Sequence, residues 1–408
     1  MTHPPVALLV ATMDTKGREA LYIADCIKKE GISVKIMDAG IKGTSPVPVD
    51  IRREKVALAG GRPLKDVRSI GHEGKALNIM TAGAVKCALE LYNQGKIQGV
   101  IGLGGSMGTT LGTAVMRNLA IGVPKVMIST MASRDTRAFV GTKDILMLHS
   151  ICDLTGLNRI TKKVLRNGAL AMAGMLRPTA GREDSIDKPL VFISTLGTTE
   201  ACVQNLRQTL EEKGNEVIIF HTVGAGGKAM EEMIAQEKVS ALVDLSLHEM
   251  ADHHFGGDYD AGPGRGTTAL KQGIPSILIP GNIDFIVTGP LEVTGRRFPD
   301  RPYHVHNAAI TVVRTEQNEI ETLAKIIGEL CNQAQEPWRI LVPMKGFSAF
   351  DHQKGPLHDP AAPLLFVKML EKTIDNKANL KTLPYHINDP EFAHAIIKAV
   401  QKLIQCTK

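Results

Sequence analysis

Paired cysteines, aromatic bulk, long apolar runs and a strong charge of either sign are all scarce in this sequence. Each scarcity removes a class of protein. The six cysteines stand at 26, 87, 152, 202, 331 and 406. None makes a Cys-x-x-Cys pair, which excludes a zinc knuckle or a dithiol redox motif and predicts the reduced thiols of a cytoplasmic protein. A single Trp and ten Phe in 408 residues, against 39 glycines, point to many tight strand-to-helix turns rather than to a disordered or coiled-coil chain. No stretch approaches the roughly 20 apolar residues of a membrane span. Val6–Ala11 is too short for a signal-peptide core, has no basic residue before it and runs directly into Asp14 and Lys16. No membrane partner is expected. The net charge of +6 is small for this length, and its basic residues are scattered, so no nucleic-acid partner is expected either.

What the chain does contain is an alternation of short apolar runs with amphipathic stretches. The length suits two domains, each able to bury its own core. Val6–Thr12, Val34–Gly40, the run ending at Gly102 and Pro124–Thr130 read as strands, and Arg18–Lys29 and Lys75–Asn93 as helices. Such alternation predicts parallel strands with right-handed crossovers, an α/β layered fold whose ligands sit beyond the carboxyl ends of the strands. Hydrophobicity collapses at Arg177–Lys188, the expected linker. The alternation then restarts at Leu190–Thr199, Glu216–Gly227, Ala241–Glu249 and Ser276–Gly281. We therefore expect two α/β domains of related design, residues 1–177 and 189–408, facing each other across a cleft.

The glycine-rich run IQGVIGLGGSMGTT, Ile97 to Thr110, is the first candidate binding loop. An apolar strand that breaks into Gly104, Gly105, Ser106, Gly108 and Thr109 before a helix would aim backbone N–H groups and a positive dipole end at an anion. The spacing fits neither the dinucleotide fingerprint nor the P-loop. A tight turn that lets the helix pack close to the sheet is the alternative. Asp14, Thr15 and Lys16 follow the first strand, placed either as caps or as phosphate contacts. Asp38 ends the second strand, where a carboxylate can meet a ribose hydroxyl. Ser129–Ser133, with Thr130 and Ser133, ends another strand with hydroxyls that suit phosphate or a cap. Gly224–Lys228 repeats the strand, glycine and helix pattern as a second anion loop.

The densest polar cluster is HEMADHHFGGDYDAGPGR, His248 to Arg265. His248 and His253 are five apart and miss the His-Glu-x-x-His spacing of a zinc protease. Whether these histidines bind a metal stays open. Glu249 and Asp252 would project together from a short helix, with Arg265 holding an anionic substrate through its fork. On that reading, loss of Asp252 or Arg265 would barely weaken the fold. Tyr303–Asn307, Gly346–His352 with Asp351, and His386–Pro390 are expected to converge on the same mouth.

MDTKG at Met13–Gly17, GLGGSMGTT at Gly102–Thr110, STMAS at Ser129–Ser133, FGGDYDAGP at Phe255–Pro263 and HINDPEFA at His386–Ala393 occur in one order along nearly the whole chain. In this the sequence resembles the ATP-binding family, largely uncharacterised, that includes a tomato mosaic virus resistance protein. The resemblance implies two Rossmann-like, doubly wound domains with mainly parallel sheets, ATP bound in the N-terminal one, and a homodimer. It implies ATP contacts at Asp14, Thr15, Lys16, Gly104, Gly105, Ser106, Gly108, Thr109, Thr130 and Ser133. The plant relative binds a viral replication protein and carries a barrel domain that has no counterpart here. Ser246-Leu247-His248 and the histidines at 253 and 254 depart from the family pattern.

Three functions follow. The first is an ATP-dependent enzyme acting on a small anionic metabolite at the cleft, with Mg²⁺ on the phosphates and Glu249, Asp252, Arg265, Asp284 and Asp351 contacting substrate. The second is a nucleotide-dependent binding or regulatory protein. The third is a metal-dependent hydrolase or lyase built on the second-domain His/Asp/Glu cluster. The acidic and histidine groups favour an enzyme, because a nucleotide switch has no need of them.

Overall fold

In the first strand, Ala7, Leu9 and Ala11 point to one face of a sheet while Leu8 and Val10 point to the other, and all five are buried. A strand buried on both faces has to read as an unbroken apolar run, the mark of a parallel sheet covered by helices on each side. The computed structural model describes residues 4–177 and 188–406. Its chain divides into two compact units, Met1–Arg182 and Glu183–Lys408. Most of the expected linker, residues 178–187, lies outside the described residues.

The N-terminal unit contains β1 (Val6–Ala11), β2 (Ser33–Asp38), β3 (Gly99–Gly104), β4 (Lys125–Ser129) and β5 (Leu146–His149). All are parallel, in the order β2-β1-β3-β4-β5. Helices Met13–Lys29 and Arg159–Leu176 cover one face, and Glu73–Asn93 and Ser106–Arg117 the other. The chain thus leaves β1 toward one face and β3 toward the opposite face. Between two adjacent strands whose helices diverge, a crevice opens beyond their carboxyl ends.

The C-terminal unit runs β6 (Leu190–Thr195), β7 (Glu216–His221), β8 (Val239–Ser246), β9 (Ser276–Gly281), β10 (Phe285–Thr288), β11 (Tyr303–Asn307), β12 (Ile310–Arg314), β13 (Trp338–Pro343) and β14 (Leu380–Leu383). Its main sheet has the order β14-β13-β9-β8-β6-β7 and is parallel throughout. Counted from its own first strand, this repeats the N-terminal order with one strand added. Shared strand order carries the related design that the sequence pattern suggested. The antiparallel β10-β12-β11 ribbon, inserted between β9 and β13, was not anticipated. Both units are doubly wound, mainly parallel and Rossmann-like.

Two helices begin earlier than their apolar periodicity indicated, at Met13 and Ser106. In the second case Gly108 lies inside the first helical turn, where an added Cβ would stand 3.0 Å from the Leu103 carbonyl oxygen. A Cβ on Gly104 would come within 2.8 Å of Gly108 Cα, whereas one on Gly105 would meet nothing nearer than Thr130 Oγ1 at 3.8 Å. The glycines therefore divide by role. Gly104 and Gly108 seat the helix on β3; Gly105 faces open space. We expect Gly104→Ala to destabilise the unit by about 1–3 kcal/mol through overpacking against backbone. Gly105→Ala should stay within about 0.5 kcal/mol of the parent in urea denaturation.

Candidate functional site

The crevice at the β1/β3 divergence is a cavity of about 1000 Å³. Its floor is the turn after β1, with Thr12, Asp14, Thr15 and Lys16, and the turn after β3, Gly104–Gly108. Helix Ser106–Arg117 starts here with no side-chain cap. A helix leaves its first N–H groups without intrahelical acceptors, so the residues lining this end carry donors and a partial positive charge. Ala39, Ile41, Val67, Ala76 and Leu77 form an apolar wall. Lys16 Nζ is tied to the Leu154 carbonyl at 2.6 Å, and its charge helps hold the nearby Asp153 carboxyl below its usual range, after the hydrogen bond from Thr155.

Of the expected N-terminal site residues, Asp14, Thr15, Lys16, Gly104, Gly105, Ser106 and Gly108 line this cavity, and Asp38, Thr109, Thr130 and Ser133 do not. Asp38 is 1% exposed. Its carboxylate takes Arg53 Nε at 2.6 Å and the backbone N–H groups of Gly40 (2.8 Å) and Met13 (3.2 Å). That geometry corrects the ribose assignment: the carboxylate holds the β2 turn together and has no face toward a ligand. The Thr109 hydroxyl is likewise buried against Ser129 Oγ at 2.6 Å. Asp14 accepts the Lys42 N–H at 3.0 Å instead of capping its helix.

Sequence reasoning missed the cover of the cavity. Residues 41–44 and 67–77 supply Lys42, Arg68, His72 and Glu73 along with the apolar wall. Arg53 and Arg68 strap this turn down by binding the carbonyls of Ile41, Lys42 and Gly43. The signals available were Gly43-Thr44 and Gly71-His72, polar breaks on either side of short helices. Only their placement over β1 and β3 gives them meaning.

In the C-terminal unit the polar cluster is turned inward. Arg265 is 2% exposed. It places both Nη atoms on Asp244 at 2.7 Å and Nε on Glu249 at 2.7 Å. Burial alone would lower the Arg265 pKa, but Asp244 and Glu249 outweigh it and raise it. Burial pushes Glu249 up, against the pull of Arg265 and of two backbone donors. Those donors are Gly224 N and Gly227 N, at 2.7 and 3.0 Å from Glu249 Oε1. The second glycine loop does hold an anion, and the anion is the chain's own Glu249.

Asp252 is fully buried and accepts the N–H groups of Tyr259 (2.8 Å) and Val287 (3.1 Å), with His248 Nε2 3.3 Å away. Glu249 and Asp252 thus face different partners rather than one substrate. The expected substrate contacts at Glu249, Asp252 and Arg265 are corrected accordingly: each is enclosed and already matched by donors or charge within the fold. Among the described residues, no three His, Cys, Asp or Glu side chains gather as a metal site.

Asp351 is also enclosed, yet it borders a second cavity, of about 860 Å³, beyond β13 and β14. The Gly346–His352 and His386–Pro390 segments converge there, on a cavity that no residue of His248–Arg265 lines, rather than on the shared mouth expected of them. Tyr303–Asn307 is absent from its lining, although His304 stacks on Phe350 with ring centroids 4.8 Å apart. Beneath it Asp284 is 0% exposed, hydrogen-bonded by Ser348 Oγ at 2.6 Å and 3.7 Å from Arg314 Nη1. Burial first, and the neighbouring Asp351 charge second, push its carboxyl up to about 7.

Two outcomes follow for the C-terminal unit. Arg265→Met strands two buried carboxylates, so it should lower stability by about 3–5 kcal/mol in denaturant titration, contrary to the mild effect expected of a substrate ligand. For Asp284 the folded pKa lies above the unfolded value of about 4, so the native chain binds the extra proton. Its contribution is fully present below that value and is lost as pH rises toward about 7. Urea midpoints across this window should fall less with pH in Asp284→Asn than in the parent.

No helix among the described residues is long and apolar enough to cross a membrane. Two profiles of the uncharacterised protein family UPF0261 match the chain, the N-terminal domain over residues 5–180 and the C-terminal domain over 188–404. A UPF0261 protein of Clostridium tetani is 35% identical, with 98% of each chain covered. The ToMV resistance protein Tm-1(GCR237) of Solanum lycopersicum is 32% identical over 97% of this chain, which spans 55% of that protein. Among solved structures, the UDP-GlcNAc 2-epimerase of Methanocaldococcus jannaschii aligns over 98% of this chain at 11% identity with a TM-score of 0.22, a likeness too loose to bear on function.

Proposed function

Because the chain belongs to the uncharacterised protein family UPF0261, its activity has to be inferred from its own cavities, and we propose that the N-terminal unit binds ATP. The observation that carries this reading is the cavity at the β1/β3 divergence, with an uncapped helix start at one end and an apolar wall at the other. Polyphosphate suits the first and a purine ring the second. About 1000 Å³ is at the upper end of the usual range for small-molecule sites, enough for a nucleotide.

The residues present fit the group. Gly105 lines the cavity, and space for a Cβ stands open there, so the backbone can approach a phosphate without obstruction. Lys16, Lys42 and Arg68 add positive charge at the walls. Asp14, Glu73 and Asp153 are the carboxylates that line the cavity, and a phosphate-bound Mg²⁺ needs only one or two from the protein. Bound ATP would supply a transferable phosphoryl group. We take the protein to be an ATP-dependent enzyme acting on a small anionic metabolite, since the C-terminal unit has a cavity of its own lined by histidines and a lysine. A nucleotide-gated binder would need no such site.

The test is Gly105→Val. Its side chain enters empty space, so the fold should survive while the phosphate position is filled. Excess Mg·ATP should raise the melting temperature of the parent, since ligand at about 100 times its Kd adds about 2.7 kcal/mol. The variant should melt like the parent without nucleotide and lose the ATP-induced rise. Retention of that rise, or a parent that ignores ATP, would place the nucleotide site elsewhere or nowhere.

A further inference from the structure

The cavity beyond β13 and β14 is bordered by three carboxylates, and each accepts at least one backbone N–H. Asp351 accepts the N–H groups of Phe347 (3.1 Å) and Asp359 (3.0 Å). Asp359 accepts that of Ala361 at 2.9 Å, and Asp389 that of His386 at 2.8 Å. His386 is matched as well, with Nε2 on the Ser348 carbonyl (2.9 Å) and Nδ1 on the Asn388 N–H (3.2 Å). At least one oxygen of each acidic group is thus tied to the wall.

The groups left over are of the opposite kind. Lys345 borders the cavity, and its ammonium has no partner among the described residues. His352 Nδ1 accepts the Lys354 N–H at 3.2 Å, which puts the proton of the neutral ring on Nε2 and makes that nitrogen a donor. In His358 the roles are reversed. Its Nδ1 lies 3.4 Å from the buried Asp351 carboxylate, which favours the proton there and leaves Nε2 as an acceptor. These three side chains of the cavity therefore offer two donors, one of them charged, and one acceptor.

From this arrangement we infer that the C-terminal unit carries a binding site for a small hydroxylated anion. Lys345 and His352 take its anionic oxygens, and His358 takes the hydrogen of its hydroxyl group. An anion lacking the hydroxyl leaves the His358 acceptor unmatched, and a neutral alcohol leaves Lys345 without a counter-charge. Carboxylate and phosphate oxygens satisfy the same donors, so the anionic group is carried by either a hydroxy acid or a sugar phosphate. The site lies wholly on residues 344–389 and does not depend on nucleotide in the N-terminal unit.

The test uses calorimetry on the full chain with two matched pairs, malate against succinate and glycerol 3-phosphate against propyl phosphate. Saturable binding in one pair or both, tighter for the hydroxylated member, is the expected result, and the responding pair identifies the anionic group. Lys345→Met should weaken that binding by about tenfold or more. His358→Phe should abolish the preference for the hydroxylated member. Both side chains stand at the open rim, and both variants should melt like the parent. Gly105→Val should bind these anions as the parent does, which separates this site from the ATP reading. The inference is overturned if no pair shows saturable binding, if Lys345→Met leaves affinity unchanged, or if the hydroxyl makes no difference in the parent.

Discussion

The seating of helix Ser106–Arg117 on β3 is the contact on which the N-terminal unit depends. It is an approach of backbone to backbone, with Gly104 and Gly108 giving no side chain to the space between strand and helix. A glycine inside a helix costs about 1 kcal/mol relative to alanine, and here it allows the helix to start directly at the strand end. That start fixes where the first-turn N–H groups lie, at the mouth of a crevice that the divergence of the helices after β1 and β3 has already opened. The turn after β2, strapped by Arg53 and Arg68, then closes the crevice from above. A cavity of about 1000 Å³ is a consequence of the way the sheet is wound.

The C-terminal unit has the same winding and uses its glycine loop in the opposite way. Gly224 and Gly227 present their N–H groups to Glu249, and a Cβ on Gly227 would lie only 1.8 Å from that carboxylate. The acceptor is covalently part of the protein, so the loop is permanently occupied. Arg265 bridges Glu249 and Asp244, and the network binds β8 to the segments that follow it. Buried ion pairs of this sort are sensitive to losing one member, because the others remain enclosed without compensation. The open cavity of this unit lies instead beyond β13 and β14, and Lys345, His352 and His358 are among the residues that line it.

The alternating pattern, the two-unit plan, strands β1–β4 and β6–β9 and the glycine loop at Ile97–Thr110 were legible in the sequence, because backbone propensity and apolar periodicity are local. Asp14, Thr15, Lys16 and Gly105 follow strand ends closely, and they do line the first cavity. Asp38, Glu249, Asp252 and Arg265 have the same sequence credentials. Nothing local distinguishes a carboxylate that faces a ligand from one that faces Arg53 or Arg265.

By itself, then, the sequence determined an α/β chain of doubly wound plan, with glycine turns where helices meet strands and polar residues at the strand ends. The tertiary structure decided which of those polar residues remain open. Lys42, Arg68 and His72 reach the first cavity from segments with no motif. Lys345 and His358 reach the second across more than ten residues of chain. Arg265 disappears into a network with Asp244 and Glu249. The reason is physical: secondary structure follows from interactions a few residues apart, but whether a charge is solvated, paired or free to take a ligand depends on which distant groups the fold brings within hydrogen-bonding distance.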